Sequence, residues 1–518
     1  MTQRILPFEY ESEENSTGLT GLAGLPVYLE LMAVMGLPQL VRQHLDVRPG
    51  QGWTDTQQLV SLVGLHLAGG DCMDDVEKLE ADEGFCRILE VVEGYGLRAR
   101  QRRALKRRWR VDKQRSVPSP TATRNWLLEF DDPDQSALCR QGEAFVPAPN
   151  EHLKGLKRLV AATTEYAQLV DSHTTATLDG DATLIETHKS SAKYCYQKFK
   201  AYQPYNLYWN EPGLMVTSEF RDGNCPAGWR ILEVFKQGLD QLPKGIRDVR
   251  TRQDSAAYQS KFLKYMAEGH NRRFGEIKFT VSVDITAAFK GAVAELDEDD
   301  WKPLNAVDDD GLEIDIGHQY AEVCYVPDWA GHSKQGPQYR FLAIRAPIDD
   351  QPELFEDSDQ RELPFPTMEF GDTGRWRLSG IVTNYLWDER EGDELIRWHR
   401  KRGGNSEKAH SVLKSDLGAG QMPTDCFGAN AAWWQIALIA FNLHVIMQTK
   451  VLGRDGLGQR LKSVRFSLIN VAGRVIRHAR RLTIRVPKGH PGLSLIERAR
   501  RQLVKMSTGP PGRWLHAA

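Results

Sequence analysis

TATLDGDATLI, at residues 175–185, is a β-rich run with two aspartates near its end, and it decides the fold class. Downstream of it, strand-like runs alternate with amphipathic helical patterns. The strand-like runs are LMVTSEF (214–220), IRDVRTRQD (246–254) and IKFTVSVDI (277–285), and the helix-like stretches are AGWRILEVFKQGLDQL (227–242) and SAAYQSKFLKYMAEG (255–269). Strands and helices that alternate in this way predict an α/β sheet.

The sequence on either side of this core divides into further segments. Upstream, Thr54 with Gln57 forms a capping-box pattern and Ser119 with Pro120 marks a second helix start, which predicts a helical domain. Downstream, strand-like runs separated by acidic stretches precede two helical patterns and a basic, helix-like end. We therefore predict a helical N-terminal domain at 1–150, the first part of the α/β core at 151–290, a β-rich acidic insertion at 291–390, the final helices of the core at 391–448, and a basic helical C-terminal region at 449–518.

The composition is that of a folded globular protein. Of 518 residues, 41% are hydrophobic, and 67 Lys and Arg nearly balance 69 Asp and Glu, which excludes a disordered chain. The first sixteen residues have no apolar segment, so we expect no targeting signal and a cytoplasmic protein. Polar residues interrupt the longest apolar run, AAWWQIALIAFNLHVIM at 431–447, which predicts a buried helix rather than a membrane span. Seven cysteines without a CxxC pair predict reduced, mostly buried thiols rather than a disulfide framework or a thiolate zinc site.

Positive charge is concentrated in two places. Residues 98–115 hold ten Lys or Arg and one acidic residue, and residues 450–505 hold fifteen Lys or Arg against two acidic residues, many in helix-like runs such as RVIRHARR (474–481). Basic ends around an acidic middle predict a polyanionic partner, double-stranded DNA. The alternative is that these arginines are only solvated helix faces. The predicted DNA contacts here are Arg102, Arg103, Arg107, Arg108, Arg474, Arg477, Arg480 and Arg481.

Three carboxylates carry the predicted chemistry. Asp181 and Asp254 each end a predicted strand, and Glu407 lies in the helical segment GGNSEKAHSVLKSDL (403–417). Reacting groups in open α/β sheets gather beyond the carboxyl ends of strands, so the three are expected to meet at one sheet edge. Carboxylates without His or Cys partners suit Mg²⁺, with Mn²⁺ as an alternative, and two such ions can support an in-line phosphoryl displacement. We predict Asp181, Asp254 and Glu407 as both catalytic residues and metal ligands.

Each of these assignments has a structural alternative. Asp254 can be the N-cap of the next helix, Asp179 and Asp181 can be turn formers, and Glu407 can be one more exposed helix carboxylate. Asp179 shares a strand face with Asp181 and competes with it as first ligand or as its supporting partner. Asp284 ends the strand that follows Asp254 and competes with that residue.

Taken in this order, the motifs resemble the DDE transposases of bacterial insertion sequences, closest to the insertion sequence 1380 group. The similarity runs from GLTGLAGLP near the start to the basic C-terminal end. The segments that carry it most clearly are LDGDATLIE, FRDGNCPA, RQDSAAY, IVTNYLWDEREGDELIRWHRKRGGNSEKAHSVLKSDL and FGANAAWWQIALIAFN. The resemblance implies an RNase H-like catalytic core that a β-rich insertion interrupts before the last acidic helix.

The resemblance also implies roles for individual residues. The family's first aspartate, followed by a small residue and Thr, matches Asp181. Its second lies in a motif of Arg, any residue, Asp, Ser, two small residues and an aromatic, which matches Asp254 with Arg252. Its final helix has Glu followed seven residues later by Lys, which Glu407 and Lys414 fit. DNA contacts are implied for Lys414 and for Arg252.

The front half of that last motif departs from the family. The family pattern has Tyr, two residues, Arg, three residues and then Glu. Here His399 stands at the Tyr, and Arg402 is one residue further from Glu407 because of an extra residue in GGNS. A phosphate contact by Arg400 or Arg402 is still implied.

The function that the resemblance implies is DNA transposition. The enzyme would bind the terminal inverted repeats of its own element, cleave the DNA and join the freed 3′-hydroxyl to target DNA, with a homodimer holding both ends. The wider group passes through a hairpin at the transposon end, which is plausible here. Two other functions fit the same features: a catalytically inactive DNA-binding regulator derived from a transposase, and a structure-specific nuclease.

Overall fold

The computed structural model describes residues 18–307, 312–327, 329, 339–348, 366–370, 374–453, 456, 458–478 and 481–508. By its internal packing the chain divides into two compact units. The terminal unit comprises residues up to 136, residues 148–159 and those from 412 onward, and the sheet unit comprises residues 137–147 and 160–411. The five-segment division predicted from the sequence stays a prediction.

The helices and strands of the described residues are numbered in chain order. The α-helices are α1 (Pro26–Val34), α2 (Leu37–His44), α3 (Asp55–Ala68), α4 (Val76–Ala81), α5 (Glu83–Gly94), α6 (Ala99–Lys106), α7 (Pro120–Leu128), α8 (Pro133–Ser136), α9 (Glu151–Val170), α10 (Ile231–Gln241), α11 (Ser260–Ala267), α12 (Ala287–Ala294), α13 (Gly392–Ser411), α14 (Phe427–Ile446), α15 (Leu461–Val464) and α16 (Pro491–Thr508). The strands are β1 (Leu19–Thr20), β2 (Thr175–Ala182), β3 (Ile185–Glu186), β4 (Lys193–Tyr194), β5 (Lys200–Tyr202), β6 (Tyr205–Trp209), β7 (Leu214–Glu219), β8 (Asp248–Gln253), β9 (Lys278–Ser282), β10 (Lys302–Pro303), β11 (Ala306–Val307), β12 (Glu313–Ile314), β13 (Gln319–Val323), β14 (Arg340–Pro347), β15 (Thr367–Glu369), β16 (Arg375–Thr383), β17 (Gly473–His478) and β18 (Arg481–Arg485).

The terminal unit is mostly helical, and its predicted helix starts are confirmed. Thr54 and Gln57 cap each other's backbone at the start of α3, and the Ser119 side chain accepts from the Ala122 amide at the start of α7. The predicted buried helix is also confirmed, because nearly every residue of α14 is buried and α14 packs on α3 and α7. Among the described residues, 427–452 is the one helical stretch long and apolar enough to span a membrane, and 78% of its apolar window is buried.

The described residues of the basic run, 474–478 and 481, lie in strands rather than in a helix, which corrects the sequence interpretation. β17 and β18 form an antiparallel hairpin that pairs with β1. Val475, Ile476, Thr483 and Ile484 are β-branched, and residues of this type favour strands. The helical parts of the basic C-terminal region include α15, the π-helical turn Arg465–Ile469 and α16.

The sheet unit is a mixed α/β structure built on one large sheet. Its strand order is β10-β13-β14-β16-β9-β8-β2-β6-β7, with β15 paired to β16. β2, β8 and β9 are parallel neighbours, and the pairs outside them are antiparallel. One face of the sheet carries the apolar side chains of α10, α11 and α12, and residues of α13 belong to a separate apolar cluster with β13, β14 and β16.

The strands predicted as a β-rich insertion continue this same sheet. β16 pairs with β9 in antiparallel fashion, and β13 and β14 follow outward from it. In the acidic stretches that separate these strands, 295–315 and 349–362, residues 308–311 and 349–362 lie outside the described residues. All seven cysteines are free, but only Cys86, Cys195 and Cys225 are buried, so the expectation of mostly buried thiols is wrong.

Candidate active site

The two aspartates of β2 lie on one face of the strand, opposite the apolar core. Ala176 and Leu178 point into the core, while Asp179 and Asp181 share the other face because side chains alternate along a strand. Asp179 is fully buried and accepts two hydrogen bonds from Arg252, from Nε at 2.7 Å and from Nη2 at 2.6 Å. Both carboxylate oxygens of Asp179 are therefore engaged by one guanidinium.

Arg252 is placed inside the protein rather than at its surface. It is 1% exposed. Its Nη1 donates to the Trp398 carbonyl at 2.9 Å, and the guanidinium lies over the Trp398 ring. A DNA phosphate cannot reach a guanidinium buried in this way. The expected DNA contact of Arg252 is therefore wrong. Arg252 has a structural role instead, because it holds Asp179 against α13.

Gly180 leaves room for two polar side chains on the face of β2 opposite Asp179 and Asp181. The Tyr205 hydroxyl donates to the Gln253 side-chain oxygen at 2.8 Å, and a Cβ at position 180 would lie only 2.1 Å from that hydroxyl oxygen and 2.2 Å from that amide oxygen. The DGD sequence is thus required sterically, because only glycine leaves room for this buried hydrogen bond.

Asp181 and Asp254 end neighbouring parallel strands. Gly180 of β2 pairs in register with Gln253 of β8, so the two aspartates are the next residues along each strand. Burial raises the pKa of Asp181 to about 6; the charge of Arg402 opposes this rise, and the charge of Asp254 adds to it. Burial likewise raises the pKa of Asp254, again opposed by Arg402. The site is an incompletely neutralised pair of carboxylates.

Asp254 is also an N-cap, which was the structural alternative to metal binding for this residue. Its side chain accepts from the Ala256 amide at 3.2 Å and caps the short 3₁₀ turn Ser255–Ala257. The cap fixes the carboxylate at the strand end, so capping and ligation are compatible for this residue. Asp284, the competing aspartate, is exposed two residues after β9.

One face of α13 meets Asp181 through three side chains. Ser406 Oγ donates to Asp181 Oδ2 at 3.2 Å, Arg402 Nη1 lies 3.9 Å from the same oxygen, and His410 Nδ1 lies 3.8 Å from it. These residues are spaced at i, i+4 and i+8, which places them on one helical stripe. Asn206, directly across from Asp181 on β6, lies with Nδ2 3.1 Å from His410 Nε2. Since an amide nitrogen only donates, the proton of a neutral His410 ring is on Nδ1, which faces Asp181.

Ser406, His410 and Asn206 were not predicted from the sequence. The helical spacing from Arg402 would have indicated Ser406 and His410. Asn206 depends on strand register, which only the structure supplies.

Glu407 lies one residue outside that stripe. It is exposed, and because each residue of an α-helix is turned about 100° from the last, Glu407 projects from α13 to one side of the Arg402–Ser406–His410 stripe. Among the described residues, Asp181, Asp254 and Glu407 do not form a group whose donor atoms all lie within 4.8 Å of one another. The one group that does is Asp71, Cys72 and Asp75 in the terminal unit, where the Asp75 carboxylate is already paired with Lys78 at 2.6 Å.

His399, at the position of the family's tyrosine, holds α13 to the sheet. Its Nδ1 lies 2.9 Å from the Thr280 hydroxyl and its Nε2 lies 3.0 Å from the Ser282 hydroxyl, both on β9. Burial and the nearby arginines lower its pKa to about 3, so the ring is neutral at physiological pH. Lys414 is half-buried in the π-helical turn Val412–Asp416, which follows α13 and alters the α-helical spacing assumed between Glu407 and Lys414.

The N-terminal basic segment divides into exposed and structural arginines. α6 has no buried residue on any face, and Arg102, Arg103 and Arg107 are exposed. Arg108 instead donates to the backbone carbonyls of Arg48, Gly52 and Trp53 at 2.9–3.2 Å, so its guanidinium is committed within the terminal unit. A helix without a buried face gains little from packing. Three of the four predicted contacts are therefore accessible to a partner.

The C-terminal hairpin opposes like charges. Arg474 and Arg485 are directly paired across β17 and β18, and Arg474, Arg477 and Arg481 are exposed. Like charges directly opposite each other destabilise a strand pair, and a polyanion that neutralises them removes that cost. Arg485 was not predicted, and Arg480 lies outside the described residues.

The chain is similar to known transposases in two comparisons. Residues 372–508 match the family model described as Transposase DDE domain group 1, which supports a DDE transposase. The matched segment includes α13 with Arg402 and Glu407. Among solved structures, the cryo-EM structure of a piggyBac transposase synaptic complex with hairpin DNA is similar at 10% sequence identity and a TM-score of 0.41, covering 96% of this chain and 83% of that chain. No curated protein sequence matches this chain.

Proposed function

We propose that this protein is a metal-dependent DNA transposase of the DDE type, related to the insertion sequence 1380 group, with an RNase H-like core. The observation that carries the proposal is the placement of Asp181 and Asp254 at the carboxyl ends of adjacent parallel strands, beside α13. The family match over residues 372–508 supports the same chemistry. Substrates are the terminal inverted repeats of its element and target DNA.

The side chains at this sheet edge fit a divalent cation. Each aspartate has a raised pKa, and Arg402 Nη1 lies 3.9 Å from Asp181 Oδ2, beyond hydrogen-bond distance, so the two charges are partly uncompensated. The Asn206 side-chain oxygen, buried opposite Asp181, has no hydrogen-bond partner in the described part of the chain. Oxygen-rich, carboxylate sites of this kind suit Mg²⁺ or Mn²⁺.

The residues divide the work of an in-line phosphoryl transfer. Asp181 and Asp254 would hold the ion, with Glu407 as third carboxylate, and the bound ion supplies a nucleophilic water and stabilises the leaving oxygen. Asp179 is already held by Arg252, which favours Asp181 as the ligand. Arg402 orients and partly neutralises Asp181, and His410 directs its Nδ1 proton toward the same carboxylate. Hydrolysis and strand joining differ only in the nucleophile, water or a DNA 3′-hydroxyl, so one site serves both.

The basic surfaces of the terminal unit fit the DNA backbone. Arg102, Arg103 and Arg107 on and after α6, together with Arg474 and Arg481 on the hairpin, are exposed. Phosphate contacts position a protein on DNA without reading its sequence. We propose that these two surfaces grip the transposon ends, that Lys414 contacts the phosphate beside the cleaved bond, and that a homodimer in the cytoplasm, on the nucleoid, holds both ends.

A second candidate, an inactive DNA-binding regulator, is favoured by one observation. The family spacing counted from Arg402 places the acidic residue at 406, where a serine contacts Asp181, while Glu407 is turned outward. If catalysis has been lost for this reason, wild-type protein binds DNA without cutting it. The double variant Ser406→Glu, Glu407→Ser would then gain cleavage.

The test is a cleavage and joining assay. Purified protein and Mg²⁺ are incubated with end-labelled DNA that terminates in the repeat flanking this reading frame. The proposal predicts nicking at the repeat boundary and joined products. Cutting without dependence on the repeat would support a structure-specific nuclease, and binding without cutting would support the regulator.

A further inference from the structure

The chain makes a small excursion beside Asp181. Between β2 and β6, residues 183–204 leave the large sheet, and within them β3, β5 and β4 form a separate three-stranded sheet, which we call the finger. The chain leaves the large sheet after Ala182, the neighbour of Asp181, and rejoins it at Tyr205. The next residue, Asn206, pairs with Asp181 across the strands. Ten residues separate Asn206 from Tyr196 near the finger tip, a reach of at most about 36 Å. The finger tip therefore lies within about one turn of B-DNA of Asn206.

The finger is basic and has no acidic residue in residues 187–200. This stretch holds four lysines and one histidine. Lys200 Nζ donates to the Ser190 carbonyl at 2.9 Å and belongs to the finger's own structure, whereas Lys198 is exposed. The net positive charge is complementary to a phosphate backbone.

Two aromatic rings are exposed on this basic sheet. Tyr194 is 53% exposed and Tyr196 is 74% exposed, while Ala192 and Cys195 between and beside them are buried. The Tyr194 backbone is held by the Gln141 side chain, with its amide donating to Gln141 Oε1 at 3.0 Å. The rings are therefore presented to solvent from a backbone that is fixed in place.

The tip also carries a strained residue. Cys195 and Phe199 close a tight turn, in which the Lys198 amide donates to the Cys195 carbonyl at 3.0 Å and the Cys195 amide donates to the Phe199 carbonyl at 2.8 Å. Lys198 adopts φ +66°, a left-handed conformation in which glycine or asparagine is favoured. A lysine in this conformation costs free energy of folding, and residues strained in this way are common at functional sites.

We propose that the finger binds single-stranded DNA next to the cleavage position, with Tyr196 and Tyr194 stacking on unpaired bases and Lys198 contacting the adjacent phosphate. Exposed aromatic rings interleaved with lysines are the arrangement that binds single strands without reading sequence. The inference rests on the proposed function, since it assumes that DNA is bound at the Asp181 edge. It adds that the enzyme recognises DNA whose strands have separated there.

The experiment measures binding without cleavage. Labelled 20-base-pair duplex DNA, blunt or with a ten-nucleotide single-stranded tail, is titrated with the full chain in EDTA. Wild type should bind the tailed DNA more tightly than the blunt one. Tyr196→Ala should weaken binding of tailed DNA about tenfold, the effect of losing one stacked base, and leave blunt-duplex binding within about twofold. Tyr196→Phe, the matched control, keeps the ring and should bind like wild type.

Lys198 provides an independent variant that cannot fail by unfolding. Lys198→Gly relieves the left-handed backbone, so its unfolding temperature should equal or exceed that of wild type, while binding of tailed DNA weakens about threefold, a modest loss for one phosphate contact. Unchanged tailed-DNA binding in both Tyr196→Ala and Lys198→Gly would overturn the inference, as would equal wild-type affinity for tailed and blunt DNA. Wild type that binds neither DNA would overturn the proposed function as well, which separates the two failures.

Discussion

Asp179 and Asp181 are two residues apart on one strand face, and their amide variants should have opposite effects on stability. Burial raises the pKa of Asp179 too, with the Arg252 hydrogen bonds opposing the rise, but Asp179→Asn also leaves the Arg252 guanidinium buried without its carboxylate, and that loss outweighs the gain from removing the charge. Breaking a buried ion pair by removing one partner costs about 3–5 kcal/mol. The change should therefore lower the unfolding temperature of the sheet unit by about 6–10 °C, at about 2 °C per kcal/mol for a unit of this size.

Asp181→Asn should instead stabilise the fold. The pKa of Asp181 is raised from 3.8 to about 6, mainly by burial, so the folded state holds the ionised form at a disadvantage. At pH 7 this difference corresponds to about 3 kcal/mol, an upper estimate because the side chain is 20% exposed. Removing the charge should raise the unfolding temperature by up to about 6 °C.

The sign of the pH dependence follows from the two pKa values. The destabilisation by ionised Asp181 is absent well below pH 4, where the carboxyl is protonated in both states, and it grows as pH rises through the unfolded and then the folded pKa. The advantage of Asp181→Asn over wild type should therefore shrink from about 3 kcal/mol at pH 7 to about 0.6 kcal/mol at pH 4.

The assay is thermal unfolding of wild type and both variants at pH 7 and pH 4, with and without Mg²⁺. Mg²⁺ should raise the unfolding temperature of wild type and have little effect on Asp181→Asn, because the variant lacks the proposed ligand. If Asp181→Asn were as destabilised as Asp179→Asn, Asp181 would be a structural residue and the reasoning would be refuted.

Three further outcomes are expected. Glu407→Gln should abolish cleavage and leave DNA binding nearly intact, since it removes a metal ligand from an exposed position; wild-type cleavage by this variant would exclude Glu407 from the site. Replacing Arg102, Arg103 and Arg107 by Gln in one triple variant should reduce the slope of log binding constant against log salt concentration by about 0.9 per lost phosphate contact. An unchanged slope would mean that these arginines only form a solvated helix face. Lys414→Ala should slow single-turnover cleavage less than Glu407→Gln does, without changing the Mg²⁺ concentration for half-maximal rate; a wild-type rate would refute the phosphate contact.

The sequence was sufficient for elements whose signal is local. Strand β2 with its aspartates, the capped starts of α3 and α7, and the buried helix α14 all follow from patterns within about twenty residues. The hairpin of β17 and β18 was missed because RVIRHARR has apolar and basic residues that fit a helix or a strand. The strand conformation is favoured by the pairing of β17 with β1, which is more than 450 residues away in sequence.

The site could be predicted only in part, for the same physical reason. That Asp181 and Asp254 would lie side by side follows from parallel strands and their carboxyl ends. That Arg252 would be buried against Asp179 depends on a register of β2 and β8 that no local pattern reveals. The orientation of Glu407 depends on a single residue of helical spacing, where one inserted position turns a side chain by about 100°.

The central claim, that Asp254 binds the metal that supports DNA cleavage, is tested most directly by changing the ligand atom. Asp254→Cys replaces a hard oxygen by a softer sulfur, which Mg²⁺ binds poorly and Mn²⁺ binds better. The account predicts that this variant does not cleave repeat-ended DNA with Mg²⁺ and recovers cleavage with Mn²⁺, whereas wild type cleaves with both. Cleavage by Asp254→Cys with Mg²⁺ at the wild-type rate would contradict it.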